Sequence, residues 1–253
     1  MKSNDPLKGR RVRLALLLWL AGMIGAVAIT VAVIPRLAEL HALPMPVSVL
    51  MVASLCQSAL LIGLAVWAGT ALSPAVGLHA AIFEAAVTSR PLSPAFRAQV
   101  WPGLLAGTVA GGLLLAFSSY TPAPIAAVQG RFNLPLLARI LYGGITEELL
   151  LRWGVMTTLL WLTWRFIHRR RGVPGADSVW IAIATSALLF GLGHLPAAAA
   201  LIGHLSAGVI FFIVGANAMF GVLFGYLFWR FGLEAAMIAH GTAHAVSYLF
   251  AQL

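Results

Sequence analysis

Residues 143–152 read GGITEELLLR and place two adjacent carboxylates, Glu147 and Glu148, inside a long apolar run. The run covers residues 134–164, which is long enough for a helix to cross the hydrocarbon core of a bilayer. A charged side chain at mid-membrane costs roughly 2.5–3.5 kcal/mol on insertion scales, so intramembrane acids predict a functional site. On a helix Glu148 and Arg152 share a face, whereas Glu147 lies about 100° away from Glu148. The pattern does not say which carboxylate has which role.

The composition is that of a membrane protein. Of the 253 residues, 61% are hydrophobic and 9% are charged, and the mean hydropathy is +0.95. A soluble domain carries about 25% charged residues. The net charge of +9 does not predict a nucleic-acid partner, because the basic residues cluster at the ends of apolar runs, as in membrane proteins. The sequence therefore predicts an all-α integral membrane protein, a polytopic transmembrane helical bundle.

The apolar runs predict about seven spans in a single domain of residues 1–253, with six or eight as alternatives. They cover residues 14–34, 47–72, 101–120, 134–166, 179–194, 205–229 and 233–250. The fifth is expected to stop near Pro196, and a short interfacial helix is expected near residues 78–88. A cytoplasmic N-terminus places most basic residues on the cytoplasmic side and only Arg36, Arg131 and Arg139 outside, which agrees with the positive-inside rule.

Three histidines accompany the glutamate pair in the predicted spans. His194 ends the sequence FGLGH, four residues after Phe190, and His240 and His244 read HGTAH, so that both imidazoles face one way. A single such histidine would more often be a packing residue. Together with the glutamates they predict one polar site in the bundle interior, while His204 and Asn217 are interpreted as structural.

This set of side chains suits hydrolysis of an amide by water. A carboxylate removed from water can act as a base near neutral pH, and histidine transfers protons in the same range. Further hydrogen-bond donors can hold an oxyanion. The sequence offers no GxSG serine, and Cys56 has no polar partner nearby, so the nucleophile is expected to be water.

These residues resemble the CPBP (Abi) family of intramembrane proteases, which includes the type II CAAX prenyl endopeptidases. The resemblance covers residues 134–250 and rests on three motifs in order: Glu147-Glu148-x-x-x-Arg152, Phe190-x-x-x-His194 and His240-x-x-x-His244. It implies an intramembrane endopeptidase in which Glu147 activates water, His194 assists, and His240 and the residue four positions later stabilise the oxyanion. It also implies a peptide or protein substrate, lipidated or membrane-embedded. The family usually has asparagine at the position of His244.

Two alternatives remain open. Histidines four apart are a common zinc pair, and His194 could be a third ligand with a glutamate as base, although the HExxH motif is absent because Gly241 follows His240. A mechanism without cofactor is favoured over zinc held by His194, His240 and His244. The second alternative is a non-proteolytic transporter or regulatory protein that uses the Glu/His cluster as a proton relay.

One depth estimate disagrees with this arrangement. At about 1.5 Å per residue, Glu147 and His240 reach similar depths in a core of about 30 Å, whereas His194 lies nearer the far side. Either the fifth helix tilts or starts below the membrane surface, or the topology of residues 179–204 differs from the prediction.

Overall fold

The computed structural model describes residues 6–40, 44–129, 134–169 and 172–251, and within these ranges the regular structure is entirely helical. The all-α prediction is therefore confirmed. The helices outside residues 136–167 are α1 (Pro6–Leu40), α2 (Val47–Val76), α3 (Ala81–Thr88), α4 (Leu92–Ser118), α5 (Ala123–Gln129), α8 (Ala176–Gly193), α9 (Leu195–Ile202), α10 (Ala207–Phe231) and α11 (Leu233–Phe250).

Residues 136–167 form one continuous helix, here called the central helix. It consists of α6 (Leu136–Leu141), π-helical Tyr142–Glu147 and Leu149–Met156, α7 (Thr157–Leu162) and π-helical Thr163–Ile167. In the π-helical parts the amide of one residue donates to the carbonyl five residues earlier, as Thr157 does to Arg152. Such wide turns are rare and often lie at functional sites. Here they surround the glutamate pair.

Five helices of the described residues are long and apolar enough to cross a membrane. They are Gly9–Glu39, Val47–Val76, Leu92–Ser118, Ala176–Ile202 and Ala207–Phe231. The central helix and α11 correspond to the other two predicted spans, but they do not meet the same length and hydropathy limits. The count of about seven spans therefore stays a prediction, whereas the predicted helical membrane architecture is supported.

Glycines set the contact between α4 and α11. Gly103, Gly107 and Gly111 follow at four-residue intervals on α4, and all three face α11. A Cβ atom at Gly107 would lie 2.5 Å from the carbonyl oxygen of Ala239, a distance that side chains do not tolerate. Small residues at this spacing let membrane helices approach until their backbones touch. The histidine-bearing helix α11 is thereby seated closely against α4.

Glycines also lie at the contacts between the central helix and its neighbours. The backbone carbonyl of Gly22 on α1 accepts a hydrogen bond of 2.7 Å from the Thr146 hydroxyl, which is buried. On the other side Gly154 lies against Ala65 of α2, where a Cβ atom would come within 2.6 Å of the alanine Cβ. The central helix thus packs against α1, α2 and α11. These contacts fix the position of the two glutamates that it carries.

Polar side chains fix the start of α11. The Gln99 side-chain oxygen accepts from the amide of Ala235 at 3.0 Å. The carboxylate of Glu234 accepts from the amides of Ile82 and Phe83 at 2.7 and 3.0 Å, and so binds the first turn of α3. Unpaired amides at a helix start favour such an acidic partner. The short helix expected near residues 78–88 is present as α3.

The fifth apolar run stops near Pro196, as predicted. Helix α8 ends at Gly193, and after the single residue His194 the chain continues as α9, so that Ala176–Ile202 counts as one membrane-crossing segment. Pro196 is the second residue of α9. Proline fits a helix start because the first amides of a helix have no intrahelical partner. Pro196 therefore lies at the beginning of α9. The apolar run around Cys56 predicts a small core residue, and this prediction is wrong because the Cys56 side chain is exposed on α2.

Candidate active site

Glu148 is fully buried and has two charged or polar partners. Its Oε2 lies 3.2 Å from Nε of Arg152, one turn along the central helix, and its Oε1 lies 2.8 Å from Nδ1 of His240. Arg152 is itself buried and donates from Nη2 to the carbonyl of Gly221 at 3.1 Å. Buried charges require such pairing, because leaving water is otherwise very costly. Glu148 therefore connects the central helix to α11.

Two aromatic rings complete the surroundings of this ion pair. Cζ of Arg152 lies 4.8 Å from the ring centre of Phe190 and 5.6 Å from that of Phe224. Phe224 also stacks on the imidazole of His240, with ring centres 4.5 Å apart and an interplanar angle of 19°. The position of Phe224 was missed by the sequence reasoning. A phenylalanine in the glycine-rich α10 carries no signal that separates it from ordinary packing.

Glu147 points the other way, into a cavity, and its side chain is 16% exposed. Its two oxygens lie 4.0 Å from Nε2 of His194 and 3.9 Å from Nε2 of His240. Both distances exceed those of a direct hydrogen bond. The adjacent glutamates thus face different environments, as their separation around the helix predicts, and His194, the predicted partner of Glu147, lies 4.0 Å from it.

Hydrogen bonds at Nδ1 assign the tautomers of these two histidines. Nδ1 of His194 lies 2.8 Å from the carbonyl oxygen of Phe190, which can only accept, so Nδ1 carries the proton. Nδ1 of His240 likewise faces the carboxylate of Glu148. In the neutral forms, Nε2 of each ring then presents a lone pair toward Glu147.

His244 lies beside His240, with ring centres 4.9 Å apart and nearly parallel planes. Both rings approach Gly143 of the central helix. A Cβ atom at Gly143 would lie 2.7 Å from Nε2 of His244 and 3.2 Å from Nε2 of His240. The two nitrogens therefore converge on a place that is open because residue 143 has no side chain. Gly143 belongs to the quoted motif, but nothing in its sequence context indicated this space.

The site opens into two adjoining cavities of about 440 and 490 Å³. Glu147 and His240 line the first cavity, and His194, His244 and Arg139 line both. The remaining lining is mainly apolar and comes mostly from α1, α4, α5, α9 and α10, with single residues from α2, α8 and α11 and further ones from the central helix. Arg139 was noted in the sequence only as a basic residue near a span end. Asn217, interpreted as structural, also lines both cavities and donates to the carbonyl of Ile213 at 2.8 Å.

The structure removes the predicted depth mismatch at His194. Residue counting placed His194 nearer the far side of the membrane than Glu147, yet the two side chains are 4.0 Å apart. The counting treats every helix as parallel to the membrane normal and as starting at the same surface. Neither condition is required of a bundle.

The described residues contain no group of three or more His, Cys, Asp or Glu side chains arranged to hold a metal ion. The Nε2 atoms of His194 and His240 and the Glu147 carboxylate have suitable donor chemistry. However, tetrahedral ligands at 2.0–2.1 Å from zinc are separated by about 3.3–3.4 Å, less than the 3.9–4.0 Å measured here. The present arrangement does not fit zinc, and no step below uses a metal.

Comparison with known proteins supplies one match. Residues 129–246 match the family model described as type II CAAX prenyl endopeptidase, Rce1-like. The matched segment includes the central helix and both histidines of α11. No curated protein and no solved structure matches the chain. The match agrees with the resemblance drawn from the three sequence motifs.

Proposed function

We propose that this site hydrolyses a peptide bond with water activated by Glu147, because residues 129–246 match the Rce1-like type II CAAX prenyl endopeptidase family model and the chain is a helical membrane protein. At the level of the family, this match supports a CAAX-type intramembrane endopeptidase with a peptide or protein substrate. The observation that carries the proposed mechanism is the spacing of 3.9–4.0 Å between the Glu147 carboxylate and two histidine nitrogens.

That spacing fits a water molecule placed between the groups. A water within hydrogen-bond distance of a carboxylate oxygen and of an imidazole nitrogen matches a separation of about 4 Å. In the proposed reaction, Glu147 takes one proton from the water, and the lone pair of His194 Nε2 accepts a hydrogen bond from the other hydrogen, which stays on the oxygen. The water oxygen then bonds to the substrate carbonyl carbon, and the carbonyl electron pair moves to its oxygen. The oxyanion then re-forms the C=O bond, the C–N bond breaks with its electron pair going to nitrogen, and Glu147 gives the proton to the leaving amine.

His240 and His244 are proposed to stabilise the negative oxygen of the intermediate. Their Nε2 atoms converge beside Gly143, and each donates a hydrogen bond when it carries a proton. For His240, whose Nδ1 faces Glu148, that state is the imidazolium, whose charge is balanced by Glu148. Arg152 in turn holds Glu148 at 3.2 Å. Glu148 and Arg152 therefore act through His240 as positioning residues.

The proposed mechanism requires no cofactor. Zinc held by His194, His240 and His244 is the alternative, and the His244→Asn experiment in the Discussion distinguishes the two by bound metal. The substrate is proposed to be lipidated or embedded in the bilayer, because both cavities are lined mainly by apolar side chains within the bundle. The N-terminus is proposed to be cytoplasmic because of the basic residues near it. A cysteine introduced there should be labelled only from that side.

The direct test is peptide cleavage by purified protein in detergent or liposomes. We expect Glu147→Ala to lower kcat roughly 10²–10⁴-fold, the usual contribution of a general base, and His194→Ala to lower it clearly as well. Both variants should elute as folded protein. Glu39→Ala is the matched control, because Glu39 is exposed on α1 and far along the chain from the motifs. Full activity in either site variant contradicts the assignment.

The substrate can be sought by comparing the proteomes of cells that carry the wild type or Glu147→Ala. A cleaved peptide that stays uncut only with the variant identifies a substrate. Proton-coupled solute flux without any peptide cleavage would instead support the transporter alternative.

A further inference from the structure

We propose that a cavity between α2 and the central helix, here called the polar cavity, supplies the water for catalysis by a route separate from the two larger cavities. This inference rests on the proposed function, because it provides a reactant for the same site. The polar cavity has a volume of about 190 Å³. Most of its lining side chains carry a hydroxyl or an amide, namely Ser54, Gln57, Ser58, Tyr142 and Thr146.

The reaction itself calls for such a route. Each cleaved peptide bond consumes one water molecule, which must reach Glu147 while a substrate is bound. The two larger cavities have mainly apolar linings, and a substrate that fills them excludes water from that side. A route from another direction keeps water available beside Glu147.

The size and the lining of the polar cavity suit water. A buried water needs two to four polar partners, and a cavity of this volume holds several waters. The Thr146 hydroxyl donates its hydrogen to the carbonyl of Gly22, so the lone pairs of its oxygen remain to accept from a water. The larger cavities offer far fewer such groups along their walls.

Shared residues connect the polar cavity to the site. Ser54 and Tyr142 line both the polar cavity and the cavity of about 440 Å³ that contains Glu147. The hydroxyl oxygen of Ser54 lies 3.3 Å from that of Thr30, which also lines the larger cavity. Hydrogen-bonding groups therefore continue from the polar cavity toward the glutamate, so that a water moving between them keeps its partners.

A further cavity connects the polar cavity to the end of the helix pair α1 and α2. It has a volume of about 280 Å³ and shares Ser54 and Gln57 with the polar cavity. Its lining also includes Leu37, near the last residue of α1, and Leu50, near the first residue of α2. The three cavities together lead from this end of the bundle to Glu147.

The spacing of residues on α2 gives the path a polar wall and a reference position. Ser54, Gln57 and Ser58 share one face of the helix, because they are three and four residues apart. Cys56, the only cysteine of the chain, lies at the same depth but about 150° around the helix from the middle of that face. Its side chain is exposed and lines none of these cavities.

The first test measures how fast cysteines on α2 react with a small charged methanethiosulfonate in open membrane fragments. The thiolate is the reactive form, and a thiol ionises more readily in water than in apolar surroundings. Ser54→Cys and Ser58→Cys, each in a Cys56→Ala chain, should react roughly 10-fold faster than Cys56 of the wild type, the effect of about one unit in thiol pKa. Rates no higher than that of Cys56 overturn the inference.

The second test obstructs the path. Ser58→Leu places an apolar side chain in the polar cavity, and kcat should fall roughly 10-fold with KM unchanged, because Ser58 lines neither of the larger cavities. Cys56→Leu is the matched control and should keep the wild-type kcat and KM. A folded Ser58→Leu variant with wild-type kcat overturns the inference. If that variant has a lower thermal midpoint, the labelling rates decide, because cysteine is close to serine in size.

The labelling does not depend on cleavage, so the two proposals can fail separately. Cleavage by a wild type whose positions 54 and 58 label no faster than Cys56 removes the water path and leaves the proposed function intact. If the wild type cleaves no peptide, the proposed function fails. The role of the polar cavity in hydrolysis then fails with it, even where labelling is fast.

Discussion

Glu147 and Glu148 are neighbours in sequence, but they occupy two different regions of the molecule. Glu148 is fully buried and lies within 3.2 Å of Arg152 and 2.8 Å of His240. Glu147 lines a cavity and keeps both of its histidine neighbours at 3.9–4.0 Å. Glu148 already contacts its partners, whereas Glu147 has space beside it for a reactant.

The difference shows how one helix can carry a buried structural carboxylate, Glu148, and a carboxylate open to a reactant, Glu147. Two adjacent residues point about 100° apart, so the first can face a cavity while the second faces packed protein. His240 lies between them, with Nδ1 toward Glu148 and Nε2 toward Glu147. Substitutions on the two sides should therefore have different consequences for stability and for rate.

The largest expected effect is that of Glu148→Gln, which leaves Arg152 buried without an anion. Breaking a buried ion pair typically destabilises a protein by roughly 3–5 kcal/mol, and His240 loses the group that orients it. We expect a clearly lower thermal midpoint in detergent together with loss of cleavage. Glu147→Gln should abolish cleavage with little change in that midpoint. Equal thermal midpoints for the two variants would contradict the division of roles.

A smaller effect on cleavage is expected for a substitution at Gly143, which fills space in the site without changing its charge. Gly143→Ala places a methyl group 2.7 Å from Nε2 of His244 and 3.2 Å from Nε2 of His240, so both rings must shift. We expect kcat to fall roughly 10²-fold, similar to the loss of an oxyanion donor. Gly112→Ala is the control, because its Cβ atom would meet nothing within 4 Å. A fully active Gly143→Ala enzyme would show that the converging nitrogens are not needed.

The smallest effect is expected for His244→Asn, which introduces the residue usual in the family. Asparagine offers an amide donor that does not titrate, so most of the activity should remain and any acid-side rate change due to His244 should disappear. His244→Ala should lower the rate by roughly 10²–10³-fold. Bound zinc is measured in parallel. An active variant without metal argues against the zinc alternative, whereas an inactive variant that has lost stoichiometric zinc argues against the oxyanion role.

Helical periodicity was enough to predict part of this arrangement. Residues four apart on a helix meet, which is why the contact between Glu148 and Arg152 could be expected from spacing alone. The presence of His194 near Glu147 could be expected because few polar groups occur within the spans and because the motifs resemble a family in which the two residues act together. Their roles in catalysis stay predictions, because proximity does not establish a reaction.

Other features depend on contacts between distant segments and had no local signal. The stacking of Phe224 on His240 joins α10 to α11, and the space at Gly143 exists only because α11 packs there. The π-helical turns of the central helix also escaped prediction, since their side-chain periodicity differs little from that of an α-helix over a few residues. Pro196 indicated the end of the fifth run, but only the structure shows that a further helix, α9, begins there.

The two partners of Glu148 differ in how far they lie along the chain, and this bears on biogenesis. Arg152 is on the same helix, so the ion pair can form as soon as that helix does, before any neighbour has been inserted. A helix that carries its own counter-charge enters the bilayer with less opposition than one with an isolated acid. His240 is 92 residues further along the chain. The ion pair can therefore ease membrane insertion early, whereas the assembled site must wait for the synthesis of α11.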